Sequence, residues 1–201
     1  MPLHTGLEFG LEAAAYLRQA GNPQMEYLVR KDPQICMDET KIALEVRREL
    51  LRHTLATLAY RGGKVISNAP DNFGAFRVHE TTRTPGEILA HIGDLLDWAL
   101  RTSQGEYVYK SSFPLPWKEE VERFFAALKA LDSYLASNEP LGYPAEKIFQ
   151  GPIADALTHV GQIALLRRMA GGRVRGENYF AAEVEAGRVG ADQSTKRMEF
   201  D

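Results

Sequence analysis

Apolar residues along this chain recur at helical rather than alternating spacing. From about residue 38 to 61, Leu44, Leu51, Leu55 and Leu58 fall at steps of seven, four and three, on one stripe of a predicted helix. Asp38 stands where a cap is expected. Gly62-Gly63 follows with residues able to take the left-handed conformation in which helices commonly end. A second helix is predicted over about 85–101. Thr84 can cap it, Pro85 sits where a missing N–H costs nothing, and Glu87 completes a capping box. Behind that start, Ile88, Ile92, Leu95 and Ala99 keep helical spacing, with Leu89 and Leu96 widening the face.

A third helix is predicted over about 116–137, with Val121, Phe124, Phe125, Leu128, Leu131 and Leu135 inward and Lys118, Glu119, Glu122, Lys129 and Asp132 elsewhere. The fourth is expected to start at Gly151-Pro152 and to run to Gly171-Gly172. Its apolar residues lie nearly all round, which predicts a central, largely buried helix. Four amphipathic helices without a convincing strand predict an all-α fold, a four-helix bundle over residues 37–171. The connections, about 23 and then about 14 residues, exceed the 2–8 of a simple up-down bundle and so allow crossovers. Residues 1–36 read as an N-terminal helical arm, with helical candidates at Leu7 to Gln19 and Met25 to Val29. Residues 172–201 read as an irregular tail packing on the bundle, with a short helix near Phe180 to Ala186.

Composition narrows the function classes. The 201 residues carry 24 basic and 27 acidic side chains, a net charge of −3 that offers none of the positive excess phosphate binding requires, so no nucleic-acid partner is expected. No run approaches the roughly 18 apolar residues of a membrane span. One cysteine, Cys36, and the lack of a signal-like start predict a cytoplasmic protein.

Candidate chemistry centres on Asp155 and His159, whose i, i+4 spacing puts both on one helix face about 6 Å apart at Cβ. His91, in line with Ile88 and Leu95, is expected to point inward from the second helix as a third ligand. A set of two histidines and an aspartate holds one divalent ion while leaving positions open for water or substrate. Each residue also has a plain structural reading: Asp155 as a first-turn carboxylate meeting the helix dipole, His91 and His159 as hydrogen-bonded core histidines. His53 shares a face with Val46, Leu50 and Tyr60 and is a weaker candidate for the same cavity. Gln162 could bond a ligand carboxylate. Trp98 and Trp117 read as core or seam aromatics.

The segments EILAHIGDLLDWAL and DALTHVGQIALLRRMAG, in that bundle layout, resemble the DinB-like superfamily over about residues 40–171. The resemblance implies a four-helix bundle, often dimeric, with one divalent metal held by three histidines. His91 matches the helix-two position and His159 the second position of the helix-four pair. Asp155 stands where the family has its other histidine; a carboxylate still binds divalent metals and shifts preference toward harder ions. The ion, by this resemblance zinc, nickel, iron or manganese, would activate water or a low-molecular-weight thiol, making the protein a hydrolase or a thiol S-transferase acting on a small molecule. The alternative is a non-catalytic binding or dimerisation module that has lost its metal.

Overall fold

A computed structural model describes the backbone of residues 33–196 and 198–200, with side chains from residue 41 onward apart from Asp71 and those of the undescribed positions. The expected arm helices therefore lie outside the described residues, as do His4 and the Cys36 side chain. The chain divides into two units, residues 1–47 and 48–201. Within the first, residues 33–47 are helical and those from 41 on are exposed, Leu44 among them, against the expectation for its stripe.

The fold is all-α apart from one very short ladder. Helix α1 spans Pro33–Ile66, α2 Pro85–Ser103, α3 Trp117–Ala136 and α4 Ala154–Met169. All four feed one apolar core in the second unit, through residues such as Leu55, Ile92, Leu128 and Ile163. Arg52 pairs with Asp132 and Gly62 abuts Phe124, so α1 and α3 run antiparallel. The starts of α2 and α3 meet at a 3-10 turn over Asp71–Ala75, where Gly86 and Trp117 both approach Gly74. Near the other end of α2, Ser103 O accepts from Gly142 N at 2.8 Å, so α2 and α3 are parallel. That parallel pair needs the long connection the sequence allows. Helix α4 runs antiparallel to α2, with Gly151 beside Trp98 and Asp155 beside His91.

Three boundaries differ from expectation. Helix α1 begins at Pro33, leaving Asp38 inside it, and it continues through Gly62-Gly63 to Ile66. A Cβ on Gly62 would lie 2.6 Å from Phe124 Cζ, so this glycine serves the close approach of two helices, and Asn68 takes the left-handed turn beyond the end. The fourth helical run starts not at Gly151 but at Ala145, as one turn over Ala145–Ile148 that passes through a π-helical segment, Phe149–Ile153, into α4. Proline inside a helix removes a donor and crowds the preceding turn, and the wider π turn accommodates Pro152. Nor is α4 buried all round: Ala156, Val160, Ile163 and Leu166 face the core, while Leu165 and Met169 are more than half exposed. In the tail, Gly176–Glu177 pairs antiparallel with Glu199–Phe200, and a 3-10 turn over Tyr179–Ala181 replaces the expected helix near 180–186.

Helix ends are held by both local and distant side chains. The capping box at α2 is present as read, with Glu87 N donating to Thr84 Oγ1 at 3.2 Å and Thr84 N donating to Glu87 Oε2 at 2.6 Å. Buried Arg48 donates to the carbonyls of Leu135, Ser137 and Glu139 at the end of α3. Arg167 donates to Val65 O and Ser67 O, at 2.6 and 2.7 Å, at the end of α1. Both supply donors to carbonyls that a helix terminus leaves without partners. No described helix is long and apolar enough to cross a membrane.

Candidate metal centre

Three side chains proposed from spacing meet at the seam of α2 and α4. His91 projects from the middle of α2, and Asp155 and His159 project one turn apart from α4; one donor atom from each lies within 4.8 Å of the others. Asp155 Oδ2 is 3.7 Å from His91 Nε2 and Asp155 Oδ1 is 3.1 Å from His159 Nδ1. The two imidazoles meet edge to face with centroids 4.8 Å apart. His91 is 22% exposed and His159 12%, so both lie in the seam wall, and His91 does not point into the central core as expected.

Each histidine has one ring nitrogen already engaged. His159 Nδ1 lies 2.9 Å from the Asp155 carbonyl, and His91 Nδ1 lies 3.1 Å from the Tyr109 hydroxyl. With Nδ1–H donating in each case, Nε2 keeps its lone pair, the tautomer a metal ligand needs. Burial pushes the His91 pKa below its ordinary value, helped by the His159 and Arg83 charges and opposed by Asp155 and Asp94. The ring is therefore held in the neutral form that binds metal. These donors fit a divalent ion: imidazole nitrogens and a carboxylate oxygen, already a few ångströms apart, with Asp155 46% exposed and so open to further ligands.

Asp155 stands in the first turn of α4, as the dipole reading expects, so that reading fits it as well as the metal reading does. His53 is exposed and lies outside the site, as does exposed Gln162.

The spacing gave no sign of the residues that surround the centre. Tyr109 comes from the irregular connection after α2, where only its aromatic character hinted at packing. Asp94, one turn beyond His91, is buried beneath it and accepts from Arg123 at 2.5 Å and from the Ser112 hydroxyl and N–H at 2.6 and 3.0 Å. Burial alone would raise the Asp94 pKa; the bonds from Arg123 and Ser112 outweigh it and hold the carboxylate below its ordinary value. This ties the 104–116 connection to α2 and α3. A cavity of about 380 Å³ opens against His91 and Tyr109. Of the cations lining it, Arg77 pairs with Glu87, whereas Arg83 has no acidic partner among the described residues.

No family model matches the chain, and comparison with curated proteins and with solved structures likewise returns no match.

Proposed function

We propose that this protein is a metal-dependent enzyme of the DinB-like type, with His91, Asp155 and His159 holding one divalent ion. The observation that carries the reading is the convergence of one donor atom from each of the three side chains, brought together from two helices. A zinc, nickel, iron or manganese ion held there would supply Lewis acidity, lowering the pKa of a water or thiol nucleophile at neutral pH. The chain's own residues orient the reaction. Tyr109 fixes the His91 ring, and the Asp155 carbonyl fixes that of His159. The exposed flank of Asp155 leaves room for a small-molecule substrate, which reaches His91 through the adjoining cavity. Free Arg83 at that cavity favours an anionic substrate or a thiolate. Hydrolysis and thiol S-transfer both fit this arrangement.

The test is elemental analysis of protein purified without a tag or chelator, beside the His91→Ala and His159→Ala variants. About one equivalent of metal, with affinity lowered at least ~100-fold in both variants, supports the enzyme and directs screening of hydrolysis and thiol transfer with that ion. Absence of metal after reconstitution with all four ions favours the second reading, a binding or dimerisation module. That reading draws on the contacts Asp155 makes with both imidazoles, which can satisfy the three side chains without an ion.

A further inference from the structure

A second cavity, of about 370 Å³, lies along the same seam, two turns down α2 from His91. Three aromatic rings wall it. Tyr107 stands between Trp98 and Tyr143, with ring centroids 5.9 Å away on either side. The π-helical segment forms another side, where Gly151 presents no side chain to Trp98. The indole N–H of Trp98 is buried without an acceptor, and Lys147 has no acidic partner among the described residues. No aspartate or glutamate lines the cavity.

Aromatic walls alone would suit a planar ring or an organic cation. Lys147, with no acid to offset it, disfavours the cation and favours an anion. We propose that this cleft binds small aryl carboxylates, the ring held among Trp98, Tyr107 and Tyr143 and the carboxylate directed to Lys147. None of these residues is a proposed metal ligand, so the inference stands apart from the metal centre. Trp98 also packs on Tyr109 at 5.8 Å, which places the cleft next to that centre.

Trp98 and Trp117 are the chain's only tryptophans, so Trp117→Phe leaves Trp98 as the sole indole reporter. Binding of 3-phenylpropanoate, 3-phenylpropan-1-ol and hexanoate is followed by Trp98 emission in the presence of a chelator. Saturation-transfer NMR on the unsubstituted protein provides a readout that does not depend on that variant. The aryl acid is expected to bind with a dissociation constant on the order of millimolar, fitting a fragment of its size. It should bind about threefold to fivefold more tightly than the alcohol, the worth of an exposed ion pair, and more tightly than hexanoate. Lys147→Ala should bring the acid to the level of the alcohol, and Tyr143→Ala should remove saturable binding. Equal binding of all three probes, or binding unchanged in both variants, overturns the proposal whatever the metal content.

Discussion

At Gly62 the chain trades helix propensity for proximity. Alanine is intrinsically favoured over glycine within a helix by roughly 1 kcal/mol, yet its methyl would meet the fully buried Phe124 ring. Gly62→Ala is therefore expected to destabilise the protein by about 1–3 kcal/mol in urea unfolding, the cost of overpacking; a stabilised variant would contradict the packing described. Asp94 makes a prediction about acid. Its folded pKa is depressed, so its stabilising contribution is present above the unfolded value near 3.8 and is lost as pH falls through the lower folded value. Asp94→Asn removes one of the carboxylates that half-buried Arg123 bonds to, with Asp97 still beside it, and should cost about 1–3 kcal/mol at neutral pH. Its loss of melting temperature between pH 5 and 2 should be shallower than that of the unsubstituted protein by the share Asp94 supplies. At this scale the Asp155 and His159 pair was legible because helical spacing alone fixes their separation. Tyr109 was not, since an irregular segment has no period from which to place a ring. Asp132 was read as outward, yet it is buried against Arg52, because a charge that finds a partner across helices can occupy a position its own helix would mark as polar.

The start of α2 was legible in the sequence, whereas the starts of α1 and of the fourth helical run were not. The Thr84 and Glu87 box is a local device whose partners lie three residues apart, so it needs nothing from the rest of the molecule. Thr84→Ala should cost about 1 kcal/mol of stability, measurable by chemical denaturation, and Thr84→Ser should restore most of it. The glycine pair after Leu58 and the Gly151-Pro152 pair looked equally local, but the first does not end a helix and the second does not start one. Phe124 makes glycine useful inside α1, and the π turn carries the backbone past Pro152 without ending the helix. Helix α4 shows the limit of judging burial from composition: apolar residues surround it, yet only one side meets the core.

Across the whole molecule, the tail is fastened by a buried polar cluster. Tyr60 OH donates to Glu177 Oε1 at 2.5 Å, and Lys64 Nζ lies 2.6 Å from Glu177 Oε2 and 2.7 Å from Glu199. Burial, then the bond and charge of Glu177, push the Tyr60 phenol far above its ordinary pKa, so it remains a donor. Glu177→Gln leaves Lys64 with one carboxylate fewer in a buried site and should cost about 2–4 kcal/mol. Limited proteolysis should then cut within residues 178–196 at a higher rate; an unchanged rate would show that the apolar contacts of Val174 and Val189 suffice to hold the tail. The chain's own pattern indicated the all-α class, four long helices, the α2 cap and the shared face of Asp155 and His159, because each depends on residues a few positions apart. How the helices are directed, where α1 ends and what surrounds His91 were settled only when segments distant in sequence met. Phe124 against Gly62, Arg123 beneath Asp94 and Glu177 against Lys64 join residues tens of positions apart, and no local spacing encodes such pairings.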